Sequence, residues 1–156
     1  MRKRLLTVLL VCMLIFIWGN SLLPGELSGR ISDGVMEMMN RTAARLGLGE
    51  DRFTYMYDQN GDGVEEPTSH IVRKIAHVTE FLVFGILVWL RLETRGVKRA
   101  ATAFLCGALT GGIDELLQLL SHRGSLFSDV LIDAAGAAAG VLLAVTADAM
   151  IRKRKG

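Results

Sequence analysis

Four apolar stretches of membrane-spanning length constrain what this chain can become. They run from about 5 to 23, 73 to 92, 100 to 120 and 130 to 151. Each holds the roughly 20 residues that a helix needs to cross a hydrocarbon core of about 30 Å. A spanning segment has no water for its backbone amides and carbonyls, so it must satisfy them internally as a helix. The expected fold class is therefore an all-α integral membrane protein with four transmembrane helices. It forms a single membrane domain over 1–156, with an extracytoplasmic loop over 24–70 between the first two helices. The chain is 51% hydrophobic with a mean hydropathy of +0.36, high for a soluble domain of this length.

The net charge is only +2, but its placement is uneven. Basic residues cluster at Arg2–Arg4, Arg91–Arg99 and Arg152–Lys155, just outside apolar stretches. The segment from Pro24 to Pro67 is acidic, with nine Asp/Glu against four Arg. A nucleic-acid binder would gather its basic residues on one soluble face, so no nucleic-acid partner is expected. Membrane proteins keep lysine and arginine on the cytoplasmic side. With both termini inside, eleven basic residues flank the inner ends, while the outer short flanks hold only Arg73, Lys74 and Arg123. Trp18 then falls at the outer interface and Trp89 at the inner one. The first stretch could also open a signal peptide, but no small-x-small cleavage site follows Trp18, so it reads as a retained span. Cys12 and Cys106 lie inside apolar stretches and read as buried small apolar residues.

This orientation has a consequence for the polar residues. The second span enters from outside with His77 and Glu80 in its first turns. The third leaves towards outside with Asp114, Glu115 and Gln118 in its last two turns. The fourth enters from outside with Asp129 and Asp133 in its first turns. Three helices thus bring ionisable residues to one depth in the outer leaflet. Such residues are costly in a membrane and mark functional sites. Lys74, His77 and Glu80 step by three along one face. The bland alternative is an ion-pair network of these carboxylates with Lys74, His77 and Arg123 that only holds the bundle together. Gly107-x-x-x-Gly111 and Gly136-x-x-x-Gly140 are small-residue patterns that let helices approach closely, within the chain or in a homo-oligomer.

In the outer loop, Ile31, Val35, Met38, Met39 and Leu46 follow helical periodicity. They predict an amphipathic helix that lies on the outer membrane surface, covers the polar cluster as a lid, or packs on its own loop. Asp58, Asn60 and Asp62, with Gly63, look like the start of a calcium loop. Position twelve is Ser69 rather than a bidentate Glu, and Pro67 interrupts the exit, so a plain Asx/Gly turn competes with a divalent site.

These pieces together resemble the VanZ-like family of small bacterial membrane proteins. The matching residues are Trp18-Gly-Asn-Ser21-Leu-Leu-Pro24, Lys74-Ile-Ala-His77-Val-Thr-Glu80-Phe81, Asp114-Glu115-Leu-Leu-Gln118, Arg123-Gly124, and Asp129-Val-Leu-Ile-Asp133-Ala-Ala-Gly136. The family often has Asn where this chain has Asp133. The resemblance implies a bacterial cytoplasmic membrane protein whose named member is tied to resistance to the glycopeptide teicoplanin. It implies no settled reaction.

Three functions stay open. The first is an enzyme or binder at the outer leaflet, acting on a lipid-linked or phosphorylated cell-wall intermediate. Lys74 and Arg123 would bind its anionic groups. His77 would be the general acid/base. Glu80, Asp114, Glu115, Gln118, Asp129 and Asp133 would tune it or hold a divalent metal. The second is a non-enzymatic protein that binds a drug or precursor or partners another envelope protein. The third is an oligomeric proton-coupled transporter. So many carboxylates in a low dielectric cannot all stay charged and unpaired.

Overall fold

The computed structural model describes residues 1–49, 56–58, 65–67, 69–121 and 127–155. Five helices and one small hairpin follow in the order α1 (Arg2–Ser21), α2 (Gly25–Arg45), β1 (Met56–Asp58), β2 (Glu65–Pro67), α3 (Ser69–Arg91), α4 (Gly96–Leu120) and α5 (Phe127–Lys155). The chain divides into two compact units. One is Met1–Leu22 with His77–Gly156, and the other is Leu23–Ala76.

The first unit is a bundle of α1, the His77–Arg91 part of α3, α4 and α5, with neighbours in sequence running in opposite directions. Only residues 92–95 join α3 to α4, and Gly96 starts α4 with φ of +60°. That left-handed conformation suits glycine and turns the chain back sharply. At one end, Lys3 Nζ lies 2.7 Å from Glu93 Oε1, and Arg91 Nε donates to Thr7 Oγ1 at 2.9 Å. At the other end, Ser121 Oγ donates to the Ser21 carbonyl at 3.0 Å. The starts of α1 and α4 and the ends of α3 and α5 therefore share the basic end of the bundle.

Burial in this unit is inverted relative to a soluble protein. On α4, Ala103, Gly107, Thr110, Gly111, Asp114, Glu115 and Gln118 are buried, a small and polar stripe at helical spacing. Leu109, Leu116 and Leu119 on the same helix are exposed, Leu109 by 68%. Exposed aliphatic side chains around buried carboxylates are stable only where the surroundings are hydrocarbon. Among the described residues, α1, α4 and α5 are long and apolar enough to cross a membrane. The expected second span, α3, is not among them: it is as apolar as the others in its later half, but Arg73, Lys74 and Glu80 load its early turns with charge. Its later half supplies Phe81, Phe84, Val88 and Trp89 to the buried core, beside Ile17, Ala103, Ala137, Val141 and Ala144.

Helix contact in the core runs through glycine. A Cβ on Gly136 would stand 2.6 Å from the Val78 carbonyl oxygen, and one on Gly140 would run into the Leu82 carbonyl. On α3, a Cβ at Gly85 would stand 2.6 Å from the Ala137 carbonyl oxygen. Gly107 faces the Ala137 methyl and Gly111 faces Asp133 Cβ at 3.0 Å. All four glycines of the two small-residue patterns thus serve contacts inside one chain. Trp89 is buried in the core towards the basic end of the bundle. Arg99 stacks 3.7 Å over its ring and donates to its carbonyl at 2.7 Å.

The second unit contains α2, the hairpin and the first turns of α3. The expected amphipathic helix is present as α2, but its buried face is Ser28, Ser32, Met36, Asn40 and Ala43. Ile31, Met38, Met39 and Leu46 of the predicted apolar stripe are exposed. An all-α chain was expected, whereas β1 and β2 pair antiparallel with Asp58 opposite Glu65. Tyr57, at the centre of β1, is a β-favouring residue, which suits such pairing. Asn60 and Asp62 of the candidate calcium loop lie outside the described residues, as does the Asp58 side chain.

Candidate functional site

The polar stripe of α4 carries Asp114, fully buried, towards α1, α3 and α5. Ser21, in the last turn of α1, hydrogen-bonds the Asp114 carboxylate through its hydroxyl. That hydroxyl also lies 3.1 Å from the Ile17 carbonyl, so one proton serves two acceptors. Gln118, one turn further along α4, donates from Nε2 to Asp114 Oδ2 at 2.9 Å. Both Asp114 oxygens are thereby held in place.

His77 approaches from α3 with its side chain only 11% exposed. Its Nδ1 lies 3.4 Å from Asp133 Oδ1 and 3.8 Å from Asp114 Oδ2. Asp133 enters from the second turn of α5 and is 1% exposed. Both of its carboxylate oxygens are buried without a hydrogen-bond partner among the described residues. The contact of 3.4 Å is an ion-pair distance, longer than the roughly 2.7–3.2 Å of a good N–H···O bond. One ligand atom from each of His77, Asp114 and Asp133 falls within 4.8 Å of the other two. These three form the only constellation of metal-ligand type among the described residues.

Glu80 follows His77 by one turn and is buried, with its Oε1 reached by Asn20 Nδ2 at 3.4 Å. Glu115 is buried on the α4 stripe and has a partner of its own. Asp129 stands half-buried in the first turn of α5, where the helix dipole favours a negative charge. Ser128 Oγ is 3.5 Å from it.

The expected cluster therefore comes together in part. His77, Asp114, Gln118 and Asp133 meet directly, and Glu80 borders them. Lys74 belongs to the other unit. Arg123 lies outside the described residues. Ser21 and Asn20, and Ser121 with bonds to the Ser21 and Gln118 carbonyls, were not expected in the site. The signal existed, because Asn20 and Ser21 end the first span at the same depth as the carboxylates. Attention to ionisable residues alone passes over uncharged hydrogen-bonding groups.

A family model described as VanZ/LLP1 matches residues 6–148 of the chain. No curated protein and no solved structure matches it.

Proposed function

The chain belongs to the VanZ/LLP1 family, and we propose that it acts at the outer leaflet of a bacterial cytoplasmic membrane on a lipid-linked or phosphorylated cell-envelope intermediate. One observation carries the reading: three helices bring His77, Asp114 and Asp133 together in a buried cluster with Ser21 and Gln118 as supports. A bundle held together by polar contacts alone would leave no pair of buried carboxylate oxygens without hydrogen bonds, as Asp133 does. His77 has Nδ1 towards two carboxylates. They orient the ring and leave Nε2 to exchange a proton with a ligand.

The outward-facing arrangement, with four spans and both termini inside, is supported by the charge pattern. Arg2, Lys3, Arg91, Arg99 and Arg152 gather at the bundle end opposite the cluster. In a Cys12→Ser, Cys106→Ser background, Asp33→Cys is expected to react with a membrane-impermeant maleimide in intact cells. Thr94→Cys, in the link between α3 and α4, is expected to react only after permeabilisation. Labelling of Thr94→Cys in intact cells would reverse the orientation.

The functional reading is tested by expressing the chain in a glycopeptide-susceptible host. Wild type is expected to raise tolerance to teicoplanin and alter the pool of lipid-linked wall precursors measured by mass spectrometry. Asp133→Asn, inserted at equal level, is expected to return both to the vector baseline. Unchanged precursors and unchanged tolerance with well-inserted wild type would sink the reading.

A further inference from the structure

We propose that His77, Asp114 and Asp133 bind one divalent transition-metal ion, through His77 Nδ1 and one carboxylate oxygen from each aspartate. The proposal concerns the site named above and rests on that cluster being the working centre. Three observations converge on it. First, the donor atoms are close enough for one ion to draw together, all three lying within 4.8 Å of one another. Ligands about 2.0–2.2 Å from an ion with angles between octahedral and tetrahedral stand roughly 3.0–3.5 Å apart. His77 Nδ1 and Asp133 Oδ1 are 3.4 Å apart, and His77 Nδ1 and Asp114 Oδ2 are 3.8 Å apart. Second, Asp133 is 1% exposed and neither of its oxygens has a hydrogen bond among the described residues. A buried carboxylate in that condition has only the His77 ring beside it as compensation, and a bound cation would supply what is missing. Third, Asp114 is already oriented as a ligand. Ser21 holds Oδ1 and Gln118 holds Oδ2, the oxygen that faces His77. Outer hydrogen bonds of this kind fix the ligating lone pairs of a metal carboxylate.

The chemistry of the set narrows the ion. One imidazole and two carboxylates suit Zn²⁺, Mn²⁺ or Fe²⁺; the imidazole disfavours Mg²⁺ and Ca²⁺, which take oxygen ligands. Three protein ligands leave positions open, as in metal sites that bind a substrate rather than brace a fold. An open position beside an outer-leaflet surface suits an oxyanion such as a phosphate ester.

The test uses tag-free, full-length protein purified in detergent without chelator, with metals measured by mass spectrometry. Wild type is expected to carry about one Zn, Mn or Fe per chain, and His77→Ala and Asp133→Asn less than about a tenth of that, because the first removes the imidazole and the second replaces an anionic oxygen with a neutral amide. Gln118→Leu keeps all three ligands and is expected to bind about 10–100-fold more weakly. Chelator-treated wild type is expected to gain thermal stability on adding Zn²⁺ or Mn²⁺, and the Asp133→Asn protein is not. Co²⁺-loaded wild type is expected to show visible d–d absorption that needs no variant to fold. Wild type with no stoichiometric metal, no thermal response and no Co²⁺ spectrum would overturn the proposal. Metal retained equally by both ligand variants would mean an adventitious ion only. Metal lost with Asp58→Ala and kept by His77→Ala would move the site to the loop. The functional reading fails separately: metal bound without any change in wall precursors leaves this site standing, and a His77-dependent phenotype without metal removes it alone.

Discussion

Gly140→Ala is expected to lower the thermal stability of the detergent-solubilised protein sharply and to reduce the fraction that elutes as a single species. The added methyl would meet the Leu82 carbonyl group, with the Leu82 carbonyl carbon at 2.9 Å and its Cα at 3.1 Å. These are backbone atoms of a helix, so no rotamer change relieves the clash. α3 and α5 must move apart or twist, at a cost of order 1–3 kcal/mol or more for an overpacked site. Gly136→Ala meets the Val78 carbonyl oxygen at 2.6 Å and Phe81 Cβ at 3.2 Å, so it should act in the same direction. The damage extends to the site, because α3 carries His77 and α5 carries Asp133. Separating these helices lengthens their 3.4 Å contact. Gly112→Ala is the control, since nothing lies within 4 Å of a Cβ there. It should be neutral or stabilising by about 0.5–1 kcal/mol, as alanine is the better helix former. Equal stability of Gly140→Ala and Gly112→Ala would show that α3 and α5 do not meet through this stripe.

The second large effect is expected at His77. His77→Ala should cost about 10²–10⁴-fold in whatever turnover the protein supports, the usual contribution of a positioned acid/base group. Insertion and expression should persist, because the core contacts of α3 come from Phe81, Phe84 and Val88. The substitution also leaves two buried carboxylates within 4.8 Å of each other with no imidazole between them. Like charges in a low dielectric repel, so a modest loss of stability should accompany the loss of function. His77→Gln separates the two effects. It restores a hydrogen-bonding group of similar reach but cannot cycle a proton near neutral pH. A binding protein should recover much of its function with glutamine, and a catalyst should not. In a double-mutant cycle, Asp133→Asn added to His77→Ala should cost little more than His77→Ala alone. Full wall-precursor effects in the His77→Ala strain would place the function elsewhere in the chain.

The apolar stretches were legible because hydrocarbon is a nearly uniform solvent. Transfer costs add residue by residue, so length and composition mark α1, α4 and α5 without knowledge of their neighbours. Depth was legible for a similar reason. Each helical residue advances about 1.5 Å, so His77, Asp114 and Asp133 could be set at one level by counting from the span ends. The Glu115, Gln118 and Glu80 placements followed from the same counting. What counting cannot supply is rotation about each helix axis. Only packing decides that Asp114 and Asp133 turn towards His77 while Leu109 and Leu116 turn outward. Likewise the small-residue patterns at Gly107, Gly111, Gly136 and Gly140 announce close approach, but a partner helix in the same chain and one in a second copy satisfy them equally. The tertiary structure assigns them to α3, α4 and α5 of one chain. It also draws in Ser21, whose hydroxyl carries no charge and leaves no mark on a hydropathy profile, yet is what the Asp114 carboxylate needs once both are buried. Membrane class, spans and depth are sums over single residues, and the sequence determined those. Which buried group meets which is a property of pairs, and only the packed helices fix it.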